Sequence, residues 1–437
     1  MDSPTLDRQR LASAPARRAQ SRMRGNAERT VFLVAVAVIA IHVVDDSFIQ
    51  PEPGTSAGDH LVSGLVPLAA LAIAAVMYPR VGPAARAAIA VVIGAFGIVA
   101  GLEGWHYTRE VGASGDDYTG LVTLPAGVVL IVLALVTLWR SRRTDESRPR
   151  RYLRRALIGA ASLVVLIALV VPFMMAYGYT HLARAVVPDP KLGGADYENV
   201  KFETGDGLEL EGWYIPSKNG AAVIAFPGRS GPRKPARFLA RHGYGVLLFD
   251  RRGEGDSEGD PNALGWGGTK DLEAAVAFLR ERPDVDSDRI GGIGLSVGGE
   301  MLLQFAAESD DLKAVVSEGA GIRSVREASE QSGAEKWASL PTWGAITAGA
   351  AIFSNHSPPP NLKDLASRID PEAVFFIYAD RGQGGEELSA DYHEVAGRPK
   401  QLWKTDSAHT GGYDAAPREY EQRVVRFFSK SLSVPSS

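Results

Sequence analysis

The stretch Arg289-Ile-Gly-Gly-Ile-Gly-Leu-Ser-Val-Gly-Gly299 decides the fold of the C-terminal half of this 437-residue chain. Its first part is short and apolar and predicts a buried strand, and the residues after it predict a helix. Between them, Gly294-x-Ser296-x-Gly298 is typical of a tight strand-to-helix turn, in which small neighbours allow a strained serine to project from the backbone. Such a turn exposes the Ser296 hydroxyl at a helix N-terminus, where backbone amides favour developing negative charge.

The sequence on either side of this turn alternates short β-rich runs with helical runs. Gly205-Asp-Gly207 predicts a hairpin between the first two strands. A hairpin followed by strand–helix alternation predicts an α/β domain with a mostly parallel sheet that helices cover on both faces. The predicted strands are Tyr197–Glu203, Leu208–Ile215, Ala222–Phe226, Val246–Phe249, Arg289–Gly294, Lys313–Val316, Val374–Tyr378 and Gln401–Lys404, and the predicted helices are Pro235–Arg241, Lys270–Arg280, Gly298–Ala307, Glu386–Val395 and Pro417–Ser431.

The N-terminal half reads differently, as a multi-span membrane region. Five runs lack charged residues apart from histidine, and a spanning helix needs about 20 apolar residues. The runs are Thr30–Val44, Leu61–Pro79, Ala87–Leu102, Tyr118–Trp139 and Ala156–Leu182. We therefore predict a basic tail over residues 1–29, a five-span all-α bundle over 30–182, a Pro/Gly linker over 183–195 and the α/β domain over 196–437.

The arginines of the N-terminal half predict its orientation, because Lys and Arg that flank spans stay on the cytoplasmic side. Seven arginines precede Thr30, two lie in the loop after the second run and eight lie between Arg140 and Arg155. The other two connections hold only Arg109. This alternation predicts a plasma-membrane protein with a cytoplasmic N-terminus and, with five spans, an extracytoplasmic C-terminal domain.

Composition excludes several classes of function. The chain has no cysteine, which removes disulfide scaffolds, thiolate zinc sites, iron–sulfur clusters and cysteine nucleophiles. A formal net charge of −4 gives no reason to expect a nucleic-acid partner, and the arginine runs are read as topology determinants. We expect no metal and no organic cofactor.

The region from about Tyr197 to Leu432 resembles the α/β-hydrolase superfamily, in its branch of serine esterases, lipases and serine aminopeptidase-like hydrolases. The resemblance rests on the Gly294–Gly298 motif, on Phe226-Pro-Gly228 after the third strand, and on the run from Phe249 to Gly259. The family usually has His-Gly where this chain has Pro227-Gly228. The resemblance implies that the backbone amides of Arg229 and Val297 form an oxyanion hole.

A serine hydroxyl is a weak nucleophile until a base takes its proton, so a histidine is required. His409 is the best candidate among the eight histidines, because it lies in a loop of small residues between the last strand and the last helix. His242, His356 and His393 are read as solvated or structural. The resulting chain order of serine, acid and histidine is that of the α/β-hydrolases.

The carboxylate that orients the histidine has three candidates. Asp380 follows the strand Val374–Tyr378, where the resemblance places the acid, and is the first choice. Glu386, after Gly382-Gln-Gly-Gly385, is the second choice, because a flexible loop would bring a longer acid beneath the imidazole. Glu318 is the third, since some family members place the acid one strand earlier.

The sequence as a whole predicts a membrane-anchored serine hydrolase that cleaves an ester, and the membrane anchor favours a lipid-like or envelope substrate. An insertion of about 322–370 is expected to form a cap or lid over the site. An acyltransferase or a peptidase would use the same triad. The rival of another class is a non-catalytic membrane sensor or transporter whose hydrolase-like domain binds a ligand. Sequence does not fix the oligomeric state.

Overall fold

The structure, a computed structural model, describes residues 5–110, 112–113, 115–141, 147–181, 184, 187, 190–226, 233–370 and 372–433. It divides into two compact units. One comprises the residues up to Pro51 together with His60–Leu163, and the other comprises Glu52–Asp59 and the chain from Val164 onward. The division runs through the predicted fifth span rather than through the predicted linker.

The first unit is a bundle of apolar helices. Its helices are α1 (Thr5–Val44), α2 (Leu61–Met77), α3 (Pro83–Glu110), α4 (Asp117–Arg140) and most of α5 (Arg148–Val165). Among the described residues, four helical segments are long and apolar enough to cross a membrane: Gly25–Ile49, Leu61–Arg80, Pro83–Arg109 and Asp117–Arg140. They correspond to the first four predicted spans.

The predicted fifth span has a different structure. A π-helical segment, Leu166–Val170, joins α5 to α6 (Val171–Thr180), so helical backbone runs from Arg148 to Thr180. Its apolar part, Leu166–Thr180, is shorter than the four segments above. The fifth crossing therefore stays a prediction.

The second unit is built of alternating strands and helices. Its strands are β1 (Glu198–Glu203), β2 (Glu209–Ile215), β3 (Ala222–Ala225), β4 (Gly245–Phe249), β5 (Ile290–Leu295), β6 (Ala314–Glu318), β7 (Ala373–Arg381) and β8 (Lys400–Ala408). Its helices after α6 are α7 (Lys234–Arg241), α8 (Thr269–Arg280), α9 (Val297–Glu308), α10 (Val325–Ala328), α11 (Gly333–Phe353), α12 (Leu362–Ala366), α13 (Leu388–Val395), α14 (Gly412–Ala415) and α15 (Pro417–Ser431).

The described strands form one sheet in the order β1-β2-β4-β3-β5-β6-β7-β8. The β1–β2 and β2–β4 pairs are antiparallel and the other neighbours are parallel, as the predicted hairpin and alternation require. Successive strand residues point to opposite faces. Ile224 and Leu247 accordingly pack with α8 and α9 on one face, whereas Val223 and Val246 pack with α7 and α15 on the other.

The predicted insertion contains α10, α11 and α12. The long helix α11 ends in an apolar half, Ala345–Phe353, and packs against α6 within the second unit. The two helices approach closely at small residues, since a Cβ on Gly349 would lie 2.7 Å from the Cβ of Ala176. Phe173 and Tyr177 stack edgewise on Phe353. These contacts explain why the unit boundary falls inside the fifth predicted span.

A short loop from the N-terminal half also belongs to the second unit. This loop, Glu52–Asp59, joins the first two predicted spans. The amide of Gly259 donates to the Pro53 carbonyl at 2.8 Å. Arg184 bridges the two segments, with Nη2 at 2.9 Å from Glu52 Oε2 and at 3.1 Å from the Gly259 carbonyl. No motif in the sequence predicts this attachment.

Candidate active site

Ser296 lies at the turn between β5 and α9 in a strained backbone conformation. Its φ of 52° and ψ of −126° fall in a region that side-chain-bearing residues rarely occupy. Two hydrogen bonds hold the turn: the Ser296 amide donates to the Glu318 carbonyl at 2.7 Å, and the Gly299 amide donates to the Ser296 carbonyl at 2.9 Å. The predicted strand–turn–helix is therefore present.

The flanking glycines allow this turn to form. A Cβ on Gly294 would overlap the carbonyl of Gly298, and a Cβ on Gly298 would lie 2.5 Å from the Cβ of Phe226. Real Cβ atoms essentially never approach that closely. The spacing of the motif thus reflects close packing of β5, α9 and the end of β3.

His409 immediately follows β8, and the sheet brings it to the same edge as Ser296. Leu295 is paired with Glu318 in the parallel β5–β6 ladder, so Ser296 and Gly319 leave adjacent strands side by side. A Cβ on Gly319 would lie 3.2 Å from His409 Cε1. Ser296 and His409 form no hydrogen bond in the described structure, and hydrogen bonds of this kind are often long in ligand-free sites.

Of the three candidate carboxylates, Glu386 is the one that contacts His409 in the described structure. His409 Nδ1 is hydrogen-bonded to Glu386 Oε1. The other carboxylate oxygen accepts from the Ala379 amide at 2.9 Å, and the side chain is buried. The turn before α13 carries this residue, because α13 begins at Leu388 and not at Glu386 as the sequence suggested.

The first-choice acid, Asp380, was wrongly placed by the sequence reading. β7 does not end at Tyr378 but continues to Arg381, with Ala379 paired to Thr405 of β8. Asp380 is consequently a strand residue whose side chain, 51% exposed, pairs with Lys404 on the neighbouring strand. It does not meet His409.

The third-choice acid, Glu318, is buried and also does not bond His409. Its Oε1 accepts from the Gly412 amide at 2.9 Å and its Oε2 accepts from the Tyr420 hydroxyl at 2.6 Å. The sequence had no signal for the Tyr420 contact, because Tyr420 is an interior residue of α15, far from the motif in the chain.

The pKa values of the His409–Glu386 pair move in opposite directions. The hydrogen bond with Glu386 raises the pKa of His409 above its usual 6.5, opposed by burial and helped by the negative charges of Glu386, Glu300 and Glu318. Burial alone would raise the pKa of Glu386, but hydrogen bonds from His409 and from the Ala379 and Gln383 amides lower it. The pair therefore favours a charged carboxylate beneath the imidazole.

Of the two residues assigned to an oxyanion hole, Val297 lies among the described residues. Val297 is the first residue of α9, where backbone amides have no partner within the helix. Arg229 lies outside the described residues. Within the described ranges, no group of three or more His, Cys, Asp or Glu side chains is arranged to hold a metal ion.

The three histidines that are read as solvated or structural each have contacts of their own. His242 Nε2 is 3.0 Å from Glu421 Oε1 at the end of α7. The ring of His356 lies against Gly267, where a Cβ would be 2.6 Å from its Cε1. His393 stacks edgewise on Phe376. These three residues lie in packing contacts of their own.

A sheet of this order with a strained serine after β5 and a histidine–carboxylate pair after β7 and β8 defines an α/β hydrolase. Residues 170–424 match the family model of X-Pro dipeptidyl-peptidase (S15 family), and the chain belongs to this family.

The chain is similar to two curated proteins and to one solved structure, among others. The uncharacterized protein YfhR of Escherichia coli (strain K12) is 33% identical over 136 residues, 28% of this chain and 47% of YfhR. The polyketide transferase grgF of Penicillium sp is 35% identical over 134 residues, 27% of this chain and 43% of grgF. The chain thus spans less than half the length of these curated relatives. The solved esterase Pf2001 of Pyrococcus furiosus is 25% identical over 57% of this chain and 99% of its own, with a TM-score of 0.47.

Proposed function

We propose that this protein is a membrane-anchored serine hydrolase that cleaves carboxylic esters through an acyl-enzyme. Ser296 attacks the carbonyl, His409 accepts and then returns the proton, and Glu386 holds the imidazole in the productive orientation. The amides of Val297 and Arg229 hold the oxyanion. The observation that carries the proposal is the contact between Glu386 and His409 Nδ1, which leaves Nε2 free to serve Ser296 at the same edge of the sheet.

Two other acyl-group reactions use the same residues. Membership of the X-Pro dipeptidyl-peptidase (S15) family favours a peptidase, and similarity to the polyketide transferase grgF favours a transferase. The same acyl-enzyme precedes all three outcomes, which differ in leaving group and acceptor. We place ester hydrolysis first because it needs neither a recognition site for a peptide nor a second substrate.

The experiment that tests the proposal is labelling of the purified full chain with a fluorophosphonate, followed by peptide mapping. A single adduct on the peptide that contains Ser296 is the expected result. Labelling elsewhere, or none, would refute the serine mechanism and bring the sensor or transporter reading forward. Substrates in three classes, p-nitrophenyl butyrate, an X-Pro-p-nitroanilide and an ester with added alcohol acceptor, then separate esterase, peptidase and transferase.

Activity is expected to depend on pH through His409. The base must be neutral to accept the serine proton, and its pKa is raised above 6.5 by Glu386. We therefore expect kcat/KM to rise with pH and to reach half of its plateau above pH 6.5. A profile of p-nitrophenyl butyrate hydrolysis from pH 5 to 9 measures this midpoint, and a midpoint below 6.5 would contradict the charge distribution described above.

We also propose that the catalytic domain is extracytoplasmic. The arginine pattern places the loop Glu52–Asp59 outside, and the contacts of this loop with Gly259 and Arg184 support a catalytic domain on the same side. A domain on that side requires an odd number of crossings before it. The helix from Arg148 to Thr180 would supply the fifth.

The absence of cysteine makes this topology directly measurable. We expect single cysteines at Ser56 and Ser367, both exposed, to react with a membrane-impermeant maleimide in intact cells. A cysteine at Ser141, after the fourth span, is the control and should react only after permeabilisation. Protection of Ser367→Cys in intact cells together with labelling of Ser56→Cys would overturn the five-span arrangement.

A further inference from the structure

Glu318 connects the two halves of the candidate active site. Its backbone carbonyl accepts the Ser296 amide at 2.7 Å and so fixes the serine turn. Its side chain, in a residue that is 1% exposed, reaches the other way and accepts the Gly412 amide at 2.9 Å. Gly412 lies three residues after His409. One residue therefore holds the segments that carry the nucleophile and the base.

The histidine segment makes a tight turn directly after β8. Thr410 has a φ of 51° and the Gly411 amide donates back to the Ala408 carbonyl at 2.9 Å, so the chain turns sharply just after His409. The Glu318 carboxylate holds the end of this turn. Tyr420 on α15 donates its hydroxyl to Glu318 Oε2 at 2.6 Å and so fixes the position of the carboxylate.

We infer that Glu318 is a positioning residue that sets the distance between Ser296 and His409 by clamping the Gly412 amide. The inference rests on the proposed serine mechanism and assigns no proton transfer to Glu318. The acid role belongs to Glu386, which contacts the imidazole, whereas Glu318 acts on the loop behind it.

The negative charge of Glu318 and the length of its side chain have different effects on the site, which can be separated by experiment. The carboxylates facing His409 are Glu386 from the turn before α13, Glu300 from α9 and Glu318 from β6. Removal of any of these negative charges makes the imidazolium less favourable. Of these three carboxylates, only Glu318 also accepts a hydrogen bond from the Gly412 amide. The Glu300 carboxylate accepts instead from the Gly321 amide at 3.0 Å.

The test compares variants of the full chain by the rate of fluorophosphonate labelling at Ser296, resolved into kinact and KI. Glu318→Asp keeps the charge but withdraws the carboxylate from Gly412 by about 1.5 Å, the length of one carbon–carbon bond. Misplacement by about 1 Å costs roughly 100-fold in rate, so we expect kinact to fall about 100-fold with KI unchanged. The pH midpoint of kinact should stay at the wild-type value.

Glu318→Gln gives the complementary pattern. Its amide oxygen still reaches the Gly412 amide and its NH2 group can donate to the Tyr420 oxygen, so kinact should fall less than about tenfold. Its pH midpoint should move down, because one negative charge near His409 is lost. Glu300→Gln is the charge-matched control, and we expect the same downward shift of the midpoint with the plateau of kinact retained.

Gly412→Ala tests the clamp without altering Glu318. A Cβ there would lie 2.9 Å from Glu318 Oε1 and should push the histidine segment away, with a loss of kinact like that of Glu318→Asp. If Glu318→Asp fails to fold, as judged by thermal unfolding, this variant decides the question. Wild-type kinact in either folded variant would overturn the inference alone, whereas a wild-type protein unlabelled at Ser296 would overturn the proposed function and the inference together.

Discussion

Ser296→Ala is expected to lower kcat/KM for p-nitrophenyl butyrate by about a million-fold, the loss that follows removal of a serine nucleophile in a hydrolase of this kind. The reason is that the strained turn holds the Ser296 hydroxyl at the carboxyl end of β5, beside the Gly319 position that His409 approaches. The backbone change is small, because alanine keeps the Cβ and the Ser296 amide still bonds the Glu318 carbonyl. The variant should therefore unfold at the wild-type temperature.

Ser317→Ala is the matched control for this prediction. Ser317 is buried on β6 beside the same helix, and its Oγ is a buried oxygen without a hydrogen-bond partner in the described structure. Its removal should leave kcat/KM within about twofold of wild type, because no described hydrogen bond is lost. If Ser296→Ala kept more than about 1% of the wild-type activity, the nucleophile would have to lie elsewhere.

The fold and the positions of Ser296 and His409 in the candidate site could be predicted from the sequence, because their signals are local. The motif around Ser296 and the strand–helix alternation each depend on residues close together in the chain. His409 could be found because it lies in a small-residue loop after the last strand. The oxyanion assignment to Arg229 remains a prediction.

The acid could not be chosen from the sequence, because strand ends decide it. The β-rich run ends at Tyr378 by composition, but pairing with β8 extends the strand to Arg381, and the Asp380 side chain forms an ion pair with Lys404 of β8. The glycines that follow then let Glu386 fold back beneath His409. Contacts between distant segments were equally invisible: Tyr420 reaches Glu318 across 102 positions of the chain, and Arg184 reaches Glu52 across 132.

Glu386→Gln is expected to lower kcat/KM by about 10⁴-fold, whereas Asp380→Asn should leave it within about twofold. In the first variant the side-chain amide can present its NH2 group to His409 Nδ1, which favours the wrong tautomer of the base, and loss of this kind of contact costs about 10⁴-fold in a serine protease. In the second, the lost partner is Lys404 at the half-exposed edge of the sheet, where ion pairs contribute little.

Both variants remove one carboxylate charge from the same β7–α13 region. A difference between their activities therefore reflects the position of the lost carboxylate and not the loss of charge. Kinetics with p-nitrophenyl butyrate and a pH profile should be measured together. Glu386→Gln should also lower the pH midpoint of the remaining activity, because the largest cause of the raised pKa of His409 is gone. A 10⁴-fold loss in Asp380→Asn with normal turnover in Glu386→Gln would restore Asp380 as the acid. It would also require β7 to end before Asp380, as the composition of the strand alone suggested.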